Sequence, residues 1–308
     1  MKGLDLAENY YLEYGAPMIQ DVFKEYVSRI AVGMVGPGSE CFGFDDEISR
    51  DHDWGPGFCI WLNGNDYKVF GASLQDEYGK LPRSFDGYGP RLESPGEEGR
   101  TGVSEISAFY RSYTGFDHVP QSLKEWLYVR EQSLAQCTNG RIFSDPLGEF
   151  SRWREALIRF YPEDVRLKKI ASRCFTIAQS GQYNFDRSLR RKEYLAVRFA
   201  ETQFCTDVIS LVFLLNRRYT PFYKWMHRAV KELPYMGRQV HEMIAKLIEE
   251  NNYVKKLEII ELICAFLIEE LQKEGLTDAR SDFLVDHAHS VHRRIQDREL
   301  GERFSLTN

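Results

Sequence analysis

The chain has 308 residues, 46 acidic and 40 basic, for a formal net charge of -6. That length holds one large domain or two ordinary ones, and 43% hydrophobic with 14% aromatic residues excludes a disordered chain. The mild acidic excess gives no general attraction to nucleic acid or to an anionic membrane, although a local basic face is compatible with it.

In chain order, the first predicted element is a helix in "LAENYYLEYGAPMIQDVFKEYVSR". Two short apolar runs between turn signals, "RIAVGMVG" and "GFCIWLNG", predict strands. A helical pattern in "NDYKVFGASLQDEYGKL" and a loop rich in glycine and proline, "RSFDGYGPRLESPGEEGR", lead to a third candidate strand in "GVSEISAFY". After residue 118 almost everything reads as helix. "SLKEWLYVREQSLAQC", "DPLGEFSRWREALIRFY" and "PEDVRLKKIASRCFTIAQSG" carry apolar positions at three- and four-residue intervals, with acidic residues near their starts. Longer patterns follow in "RSLRRKEYLAVRFAETQFCTDVISLVFLLNRRY", "YMGRQVHEMIAKLIEENN" and "VKKLEIIELICAFLIEELQKEG". Long helices with one apolar stripe and short connections predict a bundle. The expected organisation is a small α/β domain over 1–118 and an all-α helical bundle over 119–308.

The six cysteines are scattered without metal-ligand spacing, which predicts reduced thiols and a cytoplasmic location. The N-terminal "MKGLDLAENYYLEYG" lacks a signal-peptide run, and "VISLVFLL" is too short to span a bilayer, so no membrane partner is expected.

The densest chemistry lies in "GPGSECFGFDDEISRDHDWGPGF", residues 36–58. On a strand, Asp51 and Asp53 project to one face while His52 and Trp54 turn to the other. Neighbouring carboxylates repel, and magnesium relieves that repulsion while bridging to substrate phosphates. Upstream, Gly36, Gly38 and Ser39 let the backbone approach a phosphate, with N–H groups and the Ser39 hydroxyl as donors. The segment lacks the Lys-Ser/Thr ending of a P-loop, and Cys41 stands where a dinucleotide fingerprint has its third glycine. The competing reading is an acidic, glycine-rich turn with solvated aspartates. Arg50 is expected to pair locally with Asp45, Asp46 or Glu47.

Gly38-Ser39, eleven intervening residues and Asp51-x-Asp53 together resemble the signature of the nucleotidyltransferase superfamily of DNA polymerase beta and the kanamycin and lincosamide nucleotidyltransferases. With "RIFSDPLGEFSRWREALIRFYPEDV" and "LLNRRYTPFYKW", the chain resembles a bacterial family of domains of unknown function placed in that superfamily. The resemblance implies an α+β nucleotidyltransferase-type domain, with a small mixed sheet and helices, ahead of a helical bundle. It implies two magnesium ions held by Asp51, Asp53 and a third carboxylate from a later strand, for which "GVSEISAF" offers Glu105. A nucleoside monophosphate would pass from an NTP to a hydroxyl, and pyrophosphate would leave in line.

Outside that motif, "NRRYTPFYKW" sets cations and aromatics around Pro221. Arg217, Arg218 and Lys224 are candidates for a triphosphate, Lys224 foremost, and Tyr219 or Tyr223 for stacking on a base. The alternative is a helix C-terminus whose basic residues complement the dipole and whose aromatics fill a joint of the bundle. "DHAHSVHRR" groups Asp286, His287, His289 and His292 at no metal-site spacing and is expected to be a polar C-terminal segment.

The leading functional expectation is therefore a magnesium-dependent nucleotidyltransferase with an NTP as co-substrate. Its acceptor would be a small molecule, a protein side chain or an RNA end, with a long RNA disfavoured by the acidic balance. A non-catalytic nucleotide-binding protein that keeps the fold is the alternative, and a metal-dependent phosphohydrolase around "DHD" a third; self-association stays open.

Overall fold

The structure is a computed structural model, described over residues 1–92 and 99–302. Two of the apolar runs pair as expected: β1 (Ala31–Met34) lies antiparallel to β2 (Cys59–Leu62), with Gly33 opposite Cys59. β3 (Gly102–Glu105) joins β2 in parallel and β4 (Arg141–Ser144) joins β1 antiparallel. The result is a mixed four-stranded sheet in the order β3-β2-β1-β4.

β2 is buried along its whole length, so both of its faces must be covered. Ile60 and Leu62, with Phe58, enter one core with Tyr10, Ile19 and Phe23 of the N-terminal helical run and with Phe70 and Leu74. That run passes from Gly3–Tyr10 through a π-helical turn at Tyr11–Gly15 to Ala16–Val22. Trp61 points the other way, as period-2 alternation requires. It stacks on Phe150 at 3.8 Å between ring centroids and meets Phe109 at 5.4 Å.

The third strand is shorter than "GVSEISAFY" predicts. It stops at Glu105, and Ile106–Thr114 is a helix that buries Ile106, Tyr110 and Thr114 on one face. This four-residue spacing is a helical period, and it outweighs the β-branched start. Part of the predicted loop, residues 93–98, lies outside the described residues.

The chain divides into two compact units. The sheet-bearing unit holds Met1–Gln121 and Ser133–Arg159, and the helical unit holds Ser122–Gln132 and the chain from Phe160 onward. A boundary at 118 thus leaves Ser133–Arg159 on the wrong side. The physical reason is β4, which falls in the stretch predicted helical, together with the helix Glu149–Ile158 whose Phe150 covers Trp61. β4 carries no alternating pattern, and its register shifts by one residue opposite Val32/Gly33. It approaches β1 so closely that a β-carbon on Gly33 would lie 2.5 Å from the Arg141 carbonyl oxygen.

The stretch "SLKEWLYVREQSLAQC" is two helices, Leu123–Tyr128 and Glu131–Thr138, separated by the extended Val129, and the second passes at Ser133 into the sheet-bearing unit. Ser122 and Glu125 close a capping box at the start of the first. "VISLVFLL" lies in Tyr194–Leu215, which is buried on all sides from Val208 to Leu214. A helix apolar all round is a core helix here, and no helix among the described residues is long and apolar enough to cross a membrane. "DHAHSVHRR" forms Leu284–His292 and is not simply a polar segment. His287 is fully buried, with Nδ1 3.0 Å from Thr277 Oγ1 and Nε2 2.7 Å from the Ser281 carbonyl, so it fastens a turn. All six cysteines are free and buried, and burial pushes the Cys59 thiol up to about 11.

Gly33→Ala forces β4 off β1 and is expected to destabilise the chain by about 1–3 kcal/mol. Urea unfolding followed by circular dichroism measures this, and an unchanged midpoint would contradict the close approach of β4.

Candidate functional site

Antiparallel pairing places the chain leaving β1 and the chain approaching β2 at one end of the sheet. β3 runs parallel to β2 with Gly102 opposite Cys59, so residues 99–101 reach that same end. The Cys59 thiol donates to the Arg100 carbonyl at 3.2 Å there. Gly36–Ser39, Asp51–Asp53 and Arg100 therefore gather at one edge from three separate parts of the chain.

The loop after β1 is held from both sides. The Gly36 N–H donates to Asn139 Oδ1 at 3.1 Å, and Asn139 Nδ2 donates to the Gly36 carbonyl at 2.8 Å. Gly38 packs on the Glu40 carboxylate so tightly that any β-carbon would overlap it. Glu40 is itself buried and paired with the buried Arg91 at 2.5 Å. Burial alone would lower the Arg91 guanidinium, yet Glu40 holds it above its usual value. Ser39 opens a single turn over Glu40–Phe42, and its carbonyl accepts from the Phe42 and Phe44 N–H groups at 3.2 and 3.0 Å.

Asp51 and Asp53 share a bend and not a strand, because β2 starts only at Cys59. Asp53 adopts a left-handed conformation (φ 51°), which breaks the alternation expected of an extended segment. Consequently Asp53 is buried while Asp51 is exposed. The Asp53 N–H donates to the Leu92 carbonyl at 2.7 Å, and its Oδ2 lies 3.6 Å from Arg100 Nη1. Asp51 Oδ1 lies 2.7 Å from His52 Nδ1, in the open. Trp54 is buried, and its indole N–H donates to Asp45 Oδ2 at 3.2 Å beside the Gly3 N–H at 2.8 Å. Asp45 is thus engaged without Arg50, whose guanidinium stacks over Trp54 and Tyr88 at 5.1 and 5.4 Å.

Glu105 does not join the pair. It ends β3 opposite Leu62, three residues along the ladder from Cys59 and Gly102 and so about 10 Å further down the strands. Its Oε1 accepts from Ser107 Oγ at 2.5 Å. Parallel pairing sends the end of β3 away from the edge that holds its beginning. Among the described residues no group of three or more His, Cys, Asp or Glu side chains is arranged to hold a metal ion. Asp51 and Asp53 are oxygen donors of the kind magnesium takes, an ion that keeps much of its hydration.

A cavity of about 470 Å³ opens beside this edge, between β2, β3 and the helix Ile106–Thr114. Arg100, Thr101, Ser104 and Tyr113 supply its polar wall, and Trp61 and Phe109 its aromatic one. The Tyr113 hydroxyl lies 3.4 Å from where a β-carbon on Gly36 would stand, so the cavity reaches the glycine loop. Arg100 lies in no motif. Its signal is only a cation shortly before a strand.

The candidates of the helical unit divide. Tyr219 packs against Phe160 and Tyr161 at 4.8 and 5.2 Å, as a joint of the bundle. Arg217 pairs with Glu163 at 2.8 Å. Arg218 and Lys224 are exposed, Lys224 over the Trp225 ring at 5.1 Å. Of the five predicted contacts, Tyr223 lines a cavity of about 630 Å³. Its charged wall comes from residues that belong to no sequence motif. Glu131 Oε2 accepts from Thr220 Oγ1 at 2.9 Å and Ser210 Oγ at 3.1 Å. Glu131 Oε1 faces Lys169 and Arg173 at 3.6 and 3.5 Å. Lys169 and Arg173 stand four apart on the helix Glu163–Ile177, and that spacing was the available signal.

A family model described as a domain of unknown function (DUF4037) matches residues 126–226. No curated protein and no solved structure matches the chain. The matched segment takes in β4, the helix that covers Trp61 and every residue lining the helical cavity. It leaves out the glycine loop and the Asp51–Asp53 bend.

Arg91→Met strands the buried Glu40 carboxylate and is expected to cost about 3–5 kcal/mol, with partial recovery when Glu40→Gln is added. Urea unfolding of the single and double variants checks both. A second expectation concerns Glu131. Burial by itself raises its carboxyl, but Lys169 and Arg173, with the Thr220 and Ser210 hydroxyls, leave it below the usual carboxylate range. Its stabilisation is therefore complete above the unfolded value near about pH 4.3 and is lost as pH falls through the lower folded value. Glu131→Gln is expected to remove that part of the acid dependence, read as a flatter unfolding midpoint below about pH 4.3 than in the parent chain. Asp207, raised by burial, acts in the opposite sense in both proteins.

Proposed function

We propose that the chain is a cytoplasmic, magnesium-dependent nucleotidyltransferase that moves a nucleoside monophosphate from an NTP to a hydroxyl acceptor. The observation that supports this most is the convergence of Gly36–Ser39 with Asp51–Asp53 at one edge of a mixed sheet, beside the cavity lined by Arg100. In this reading the glycine loop, stiffened by Asn139 and by the Glu40–Arg91 pair, brings backbone N–H groups and the Ser39 hydroxyl to the phosphates. Arg100, which stands 3.6 Å from Asp53, would offer its planar donors to the triphosphate. Asp51 and Asp53 would hold the magnesium, which when bound would supply charge neutralisation at the phosphates and a lowered pKa for the attacking hydroxyl. The acceptor oxygen bonds to the α-phosphorus, the α–β bridging bond breaks, pyrophosphate takes the electron pair and the acceptor proton is released. Glu105 is left out of this step, since the ladder puts it at the far end of β3 from Gly102. Trp61, Phe109 and Tyr113 offer the cavity an aromatic lining suited to a base or to the acceptor.

One observation favours a second reading, nucleotide binding without transfer: Asp53 is already matched to Arg100.

Pyrophosphate release with each NTP, magnesium and a metabolite extract as acceptor source separates the two. Transfer predicts release that falls at least about a hundredfold in the Asp51→Asn, Asp53→Asn double variant and stays within about twofold in Glu105→Gln. Magnesium-dependent nucleotide binding without release supports the second reading. Release indifferent to the double variant, or no nucleotide binding at all, removes both.

A further inference from the structure

The helical cavity has the make-up of a ligand site in its own right. Its volume of about 630 Å³ falls within the range of small-molecule sites. Tyr128 and Tyr223 line it while 73% and 72% exposed, so two aromatic faces stand at the solvent side of the same opening. Within, the side chains of Glu131, Lys169 and Arg173 are only 10%, 14% and 18% exposed.

Charge decides which ligands suit it. Arg173 also pairs with the buried Asp207 at 3.1 Å, so the cations Lys169 and Arg173 are balanced by the anions Glu131 and Asp207. Arg130, the remaining ion of the lining, is exposed and solvated. An anionic or cationic ligand would add an uncompensated charge next to a neutral, largely desolvated network, which is costly. A neutral ligand adds none.

Hydrogen-bonding capacity is nevertheless open. Glu131 itself is engaged, Oε2 by Thr220 and Ser210 and the buried Oε1 by Lys169 and Arg173 at 3.6 and 3.5 Å. Thr206 Oγ1 spends its proton on the Thr202 carbonyl at 2.8 Å and keeps lone pairs. Lys169 rides over the Tyr161 ring at 5.0 Å with its ammonium near Glu131. The wall thus offers acceptors and donors side by side, under aromatic faces.

We infer that the helical unit binds a neutral polyhydroxylated ring, of sugar or cyclitol type, whose carbon face lies on Tyr128 or Tyr223 and one of whose hydroxyls donates to Thr206 Oγ1. This stands independently of the transferase reading, and its test contains no nucleotide.

Saturation-transfer NMR on the full chain, with glucose, maltose and myo-inositol as probes, reads the binding directly. At least one of the three is expected to bind, with affinity about tenfold weaker in Tyr223→Ala or Tyr128→Ala. Both tyrosines are exposed, so the variants should keep the parent melting temperature; Thr206→Val replaces either one that does not. The inference is overturned if none of the three binds, or if binding is unaffected by all of these variants. It is equally overturned if inorganic phosphate or citrate binds instead and Lys169→Met abolishes that binding.

Discussion

The antiparallel pairing of β1 with β2 is the constraint on which the sheet-bearing unit depends. β2 presents Ile60 and Leu62 to one side and Cys59 and Trp61 to the other, and all four are buried. Each side therefore needs its own cover. One is closed by the N-terminal helical run and the other by Phe109 and Phe150. The same pairing sets the ends of the strands, so the segments after β1 and before β2 meet although eleven residues separate Ser39 from Asp51. The cavity beside them is what remains where the second cover does not reach the sheet edge.

Each unit also contains a buried set of ions. Glu40 with Arg91 lies under the glycine loop, and Glu131 with Lys169, Arg173 and Asp207 joins three helices of the bundle. Such groups contribute little net stability, since burying the charges costs about what their attraction returns. They narrow the arrangements open to the backbone around them. Gly38 can lie flat on Glu40 only because Arg91 holds that carboxylate in place. The Lys256–Glu201 pair does the same between two helices of the bundle, with Lys256 Nζ also donating to the Leu247 carbonyl at 2.9 Å.

Much of this was legible in single stretches of sequence, and where it was not, the reason is physical. β1 and β2 announced themselves as short apolar runs between glycines, and the long helices by their period. β4 did not, because "RIFS" has neither alternation nor length and becomes a strand only through the unpaired edge of β1. The break at Val129 was equally silent, since helical periodicity continues across it while the backbone turns. Spacing singled out Asp51 and Asp53 but assumed an extended backbone, and the left-handed Asp53 set one inside and the other outside.

The sequence by itself determined the class of each half, a small sheet ahead of a helical bundle, because periodicity and turn chemistry are local. It also determined that a glycine loop and an acidic pair lie a short way apart along the chain. Tertiary structure alone decided which groups accompany them. Strand direction sent Glu105 to the far end of β3 and brought Arg100 to the near one. Packing moved Ser133–Arg159 to the sheet and assembled Glu131, Lys169, Arg173 and Thr220 around one cavity. Those partners are dozens of residues apart, and only the direction of strands and the crossing of helices determines which of them meet.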